Sequence, residues 1–169
     1  MVRRSNIVQP MPDSALRFES DSAWVVKPLS PPQLNEIGRE IKQAFVQLAQ
    51  VDIAASPVQV IDALERSYLM LRSRAAEGLG QKSTDIARLG FLWAHQVVRQ
   101  CEWHWKSVSA DALPNPAIVS PDLAHVCFPI DLVATALVEK QKSPLKNLYQ
   151  RIAAGPLPQA TPGALRVLL

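Results

Sequence analysis

The stretch CEWHWKSVS, Cys101 to Ser109, brings a thiol, an imidazole and two indoles close together in the chain. Three chemistries would use such residues. A cysteine beside a histidine can act as a nucleophile if a third group orients the base. His104 with His95 and His125 could hold a zinc ion and support a small metal-dependent or hydrolytic enzyme. Trp103 and Trp105 could stack nucleobases.

The sequence argues against each. Cys101 and Cys127 both fall among apolar residues, which raise a thiol pKa and leave the sulfur inert, and no glycine-flanked serine elbow is present. The three histidines are spaced by nine and 21 residues, which fits no ligand motif. Base-stacking aromatics come interleaved with Lys and Arg, whereas only Lys106 is near these indoles. The run EGLGQKST echoes a phosphate-binding loop but lacks its spacing and follows a helical pattern, so it reads as a helix stop. No catalytic residue, metal or cofactor is assigned, and the indoles are assigned to the core.

Composition sets the frame. A chain of 169 residues, 48% hydrophobic and 20% charged, suits one domain with its own core. No apolar run approaches the roughly 18–20 residues of a membrane span. The N-terminus carries no secretory pattern, so a cytoplasmic protein with two reduced thiols is expected. The net charge of +3 is unevenly placed: from Val138 onward Lys140, Lys142, Lys146, Arg151 and Arg166 face Glu139 alone. Such a surface could meet an acidic partner, but without a basic run it does not read as a nucleic-acid site.

The elements that must position these residues follow from periodicity. Residues 1–29 read as an N-terminal arm in which AWVVKP could form one short strand. The code SPPQ opens a helix with Leu34, Ile37, Ile41, Phe45 and Leu48 on one face, and SPVQ opens a second with Ile61, Leu64, Tyr68 and Leu71. Gly78 and Gly80 should stop the second helix. A third, capped by Ser83 or Thr84, carries Leu89, Trp93 and Val97, with Gly90 and Ala94 as a strip open to close approach. From Cys101 the period changes to two, oily at Cys101, Trp103 and Trp105 and polar at Glu102, His104 and Lys106. Ala117–Ser120 and Ala124–Phe128 should pair around Pro121 and Asp122 as a hairpin. Two helices follow, the second opened by Ser143 and Pro144. The expectation is one α+β domain over 30–155, with about three helices, a small antiparallel sheet of about three strands, and two further helices. The Pro-broken apolar tail, 156–169, should dock on the body or on a second subunit as a homodimer contact.

Between Leu89 and Leu137 the pieces LGFLWAHQVV, CEWHWKSV and IVSPDLAHVCFPIDLV resemble a loosely defined group of small bacterial domains of the toxin-immunity type. That group reads Leu-Gly-x-x-Trp-Gly-x-Gln, Gly-Trp-x-Trp and Val-Ser-Pro-Asp…Phe-Pro; this chain departs from it at Ala94 and at Cys101-Glu102. The resemblance implies an immunity protein that binds a cognate bacterial toxin and blocks it without catalysis. The contact residues expected for that role are Glu102, His104, Lys106, Asp122 and His125 on the polar sheet face and hairpin, then Lys142, Lys146 and Arg151 on the last helix. The edge bearing Glu36, Glu40 and Glu65 could serve an electropositive toxin. A generic adaptor or regulatory subunit is the competing non-enzymatic expectation.

Overall fold

A computed structural model describes residues 24–74, 79–110, 113–159 and 165–169, with only the backbone of 79–81. Residues 1–23 of the expected arm, the expected stop at Gly78, and residues 160–164 of the tail lie outside the described residues.

The helices form where the sequence places its start signals. Helix α1 (Pro31–Ala44) begins with a reciprocal cap: the Ser30 N–H donates to Gln33 Oε1 at 2.9 Å, and the Gln33 N–H returns to Ser30 Oγ at 3.4 Å. Ser56 and Gln59 repeat the device at α2 (Pro57–Ser73). Each cap satisfies two N–H groups that a helix start otherwise leaves unpaired. Ile37, Ile41 and Phe45 are buried as the period requires, but Leu34 is 46% exposed and stands off the inward face. Helix α1 continues into a π-helical turn (Phe45–Ala49), closed by the Gln50 N–H on the Phe45 carbonyl and by Gln50 itself at φ 51°. Ile61, Leu64, Tyr68 and Leu71 of α2 all face inward. This helix ends at Ser73, before the glycines, where the Ser73 hydroxyl donates to the Met70 carbonyl at 2.7 Å.

Helix α3 (Leu79–Cys101) is the spine. It starts before Ser83, because a capping residue marks a favourable start without forbidding helix upstream of it. Leu89, Leu92, Trp93, Ala94, Gln96 and Val97 are fully buried, and each large apolar one contributes about 2 kcal/mol. The strip at Gly90 does admit a backbone: a Cβ there would lie 2.5 Å from the Pro129 carbonyl oxygen. That carbonyl opens α4 (Pro129–Val138). Trp93 Nε1 donates to the Leu145 carbonyl at 2.8 Å, which ties α3 to α5 (Pro144–Ala153).

The sheet corrects the expectation of about three antiparallel strands. Its order is β1 (Val25–Lys27), β2 (His104–Ser109), β3 (Asn115–Val119), β4 (His125–Cys127) and β5 (Arg166–Val167). The expected hairpin is present as β3 and β4, and β1 adds to β2. The tail supplies β5, parallel to β4, with the Leu168 N–H on the Val126 carbonyl at 2.8 Å. The tail therefore docks on its own body; Leu165 and Leu168 are buried there instead of standing free for a second subunit. Strand β2 starts at His104 instead of Cys101, because α3 runs through Cys101 and Glu102 turns the chain at φ 59°.

The expected alternation holds in burial from Cys101 to Trp105, but the outer face is not simply polar, since both faces of the sheet carry apolar clusters. Trp105, Ile118 and Cys127 are register partners facing the helices. His104 lies opposite Val119 and Lys106 opposite Ala117, on the face where Val108, Val119, Val126 and Leu165 form a second cluster with Trp24 and Phe128. Cross-strand partners share a face, so the polar residues of β2 sit at the rim of a small core.

Candidate functional site

Trp103 is buried beside the helices, and Trp105 is half-buried against Phe91, ring centres 6.0 Å apart at 73°. The nonapeptide is a packing element. Cys127 is wholly enclosed and its thiol pKa is pushed far up by burial; Cys101 is raised for the same reason. Neither holds a thiolate near neutral pH.

The eight expected contact residues separate into groups. His125 is buried, with Nε2 2.9 Å from the Pro158 carbonyl, so it holds the tail and leaves the surface set. Asp122 is exposed, but its carboxylate takes the Ser120 hydroxyl and the Ala124 N–H, which keep its pKa low and build the hairpin turn. Glu102 and His104 are exposed, and Lys106 is half-buried beside the second cluster. Lys146 is engaged with Asp62, Nζ to Oδ1 at 2.8 Å. Lys142 and Arg151 stand open to solvent. His95 is half-buried on α3, and burial, with Arg99 adding to it, depresses its pKa and favours the neutral ring. Among the described residues no three His, Cys, Asp or Glu side chains group to hold a metal ion.

Helix α2 organises the region that carries the open cations. Ser143 does not cap α5; where α1 and α2 have glutamine, this start has Lys146, which cannot reciprocate. Glu65 of α2 does the work, accepting the Lys146 N–H at 2.9 Å. Burial raises the Glu65 pKa despite N–H bonds from Lys146 and Leu145. Three residues on, the Tyr68 hydroxyl lies 2.9 Å from the carbonyls of Ala136 and Gln141, and Arg72 donates to Gln141 at 2.8 Å. The intervening turn closes with the Gln141 N–H on Ala136 and the Lys140 N–H on Leu137, Lys140 being left-handed at φ 54°. Both ends of the α4–α5 connection are therefore fixed from α2.

Two surface grooves differ in how their charges are arranged. One, of about 560 Å³, lies between α1 and α3 over Ile37, Phe91 and Ile130. Its Arg88 donates to Glu40 at 2.9 Å and to Gln47 at 2.6 Å, and Arg39 also reaches Glu40. The Arg88 bond holds the Glu40 carboxyl below its usual range. Of the expected acidic edge, Glu65 is buried, Glu40 is paired and Glu36 alone remains open.

The second groove, of about 580 Å³, runs along α5. Pro144, Leu148 and Leu169 form its apolar side, Gln141, Asn147 and Gln150 its amide side, and Arg151 carries its charge. Lys140 and Lys142 flank Gln141. The side chains of Lys140, Lys142 and Arg151 are exposed, and none pairs with another described residue. The charge excess near the C-terminus includes Lys140, Lys142 and Arg151, of which Lys140, like the amides, is not among the expected contacts, because pairing is decided by neighbours on other elements. No helix among the described residues is long and apolar enough to cross a membrane. No family model matches the chain, and neither the curated proteins nor the solved structures compared with it include a match.

Proposed function

We propose that this chain is a non-catalytic protein-binding domain, an immunity protein that acts in the cytoplasm by occupying a cognate bacterial toxin. The observation that carries the binding part is the α5 groove: a preformed apolar and amide-lined surface whose Arg151, like the neighbouring Lys140 and Lys142, pairs with no other described residue. Elsewhere the polar groups with chemical potential hold the fold together, as Glu65 caps α5, His125 fastens the tail and Arg88 holds Glu40. A rigid scaffold with a complementary patch is all that steric inhibition of a partner requires. The immunity part follows from the resemblance over Leu89–Leu137.

The test is co-expression with the product of a toxin-like neighbouring gene. Restored growth together with a co-purified complex is expected. A complex without growth rescue would make the chain a generic adaptor, and neither complex nor rescue would remove the reading altogether.

A further inference from the structure

Resting on the protein-binding reading above, we infer that the α5 groove receives an acidic segment of a partner protein, anchored by an apolar side chain between Leu148 and Leu169. Charge complementarity selects this occupant. Arg151 lines the groove, Lys140 and Lys142 stand exposed on the turn either side of its Gln141, and no Asp or Glu side chain lines it. The nearest acid in sequence, Glu139, is itself engaged with the Gln141 amide at 2.8 Å. Unpaired cations of this kind speed encounter with an acidic surface and suppress basic competitors.

A protein segment fits better than a nucleic acid. No aromatic side chain lines the groove to stack a base, and three separated cations make a poor track for a phosphate backbone. The amides of Gln141, Asn147 and Gln150 can both donate to and accept from a peptide backbone, while Leu148 and Leu169 offer an apolar seat. The turn bearing Lys140 is held by Tyr68 and Arg72, so little ordering is needed on binding.

The test is an amide chemical-shift titration of the full chain with three probes: a short peptide of Asp and Glu interleaved with Leu, its Lys-for-acid counterpart, and a single-stranded oligonucleotide. The acidic peptide is expected to shift amides of residues 140–154, to bind more weakly as salt rises, and to lose about tenfold in affinity in Arg151→Glu. Glu36→Gln, in the other groove, should leave that affinity unchanged. Shifts confined to other elements, equal binding of the basic peptide, or an oligonucleotide that outcompetes the acidic peptide at physiological salt would each overturn the inference. If the toxin-like neighbour forms a complex that Arg151→Glu does not weaken, this surface is wrong while the immunity reading survives. If the peptide binds α5 and the neighbour does not associate, the reverse holds.

Discussion

The α1–α3 groove and the α5 groove are similar in volume but opposite in electrostatic economy. In the first, Arg88, Glu40, Arg39 and Gln47 answer one another, and the groove is a seam between two packed helices. In the second the framework bonds lie underneath, from α2 to the α4–α5 turn, and Lys140, Lys142 and Arg151 pair with no other described residue. Depth alone does not separate a structural seam from a recognition surface. Whether its charges are already paired does, since an exposed pair contributes little to stability and an unpaired cation remains open to a partner.

This contrast can be broken at several strengths. The largest effect is expected behind the first groove, at the contact of α3 with α4. Gly90→Ala would drive a methyl group into the Pro129 carbonyl, and a loss of about 3 kcal/mol is expected by chemical denaturation. A variant as stable as the parent would mean that the helices can separate there, so that the wall carrying Ile130 is not fixed.

Next comes the support beneath the second groove. Glu65→Ala removes the cap of α5 and should cost about 2 kcal/mol. Glu65→Gln tests the charge instead. Because burial raises this carboxyl's pKa, the folded chain keeps the proton at pH values where the unfolded chain has released it. The protonated form therefore contributes stability that is complete below the ordinary carboxylate pKa and is lost as pH rises through the raised value. Stability measured against pH should decline through that window in the parent and decline less in Glu65→Gln. Equal slopes would show that the carboxylate is not desolvated.

Arg88→Ala, in the first groove, opens the Glu40 pair and should cost about 1 kcal/mol, since that pair is partly solvated. It should leave acidic-peptide binding at α5 intact; a matching loss there would merge the two grooves into one surface. The smallest effects belong to the open cations. Lys142→Gln and Arg151→Gln should change stability by under about 0.5 kcal/mol while weakening the peptide. Lys140→Gly is the sharpest variant: glycine relieves the left-handed backbone and should add about 0.5 kcal/mol, yet binding should fall. Calorimetry alongside the titration separates those opposite signs.

Much of the helical framework was legible from local signals. The SPPQ and SPVQ starts predict two reciprocal caps, the Leu89–Trp93–Val97 stripe predicts the buried spine, and Gly90 predicts a close backbone. SPLK was readable too in retrospect, because lysine at the third helical position announces that the cap must come from elsewhere. The sheet was harder. Period two places Glu102 and His104 outward, where they stand, but in β3 and β4 AIV and HVC are nearly continuous apolar runs, the mark of strands covered on both sides. Strand β5 is two residues long and has no period to read. Its pairing with β4 depends on a segment distant in sequence, which local propensity does not encode. The candidate site was partly legible for a related reason: charge excess is visible in a sequence, while Lys146 meeting Asp62, and Lys142 meeting no described residue, is decided by the fold.

The parallel pairing of β5 with β4 sets an order of events on the ribosome. The β3–β4 hairpin can zip as soon as it emerges, but Val126 gains its last strand neighbour only after Val167 has been made. Until then the nascent chain carries an apolar strand with an open edge, the kind of surface that chaperones shield and that pairs wrongly with copies of itself. Shortening the message before the codon for Leu165 should therefore yield aggregates instead of a slightly weaker protein.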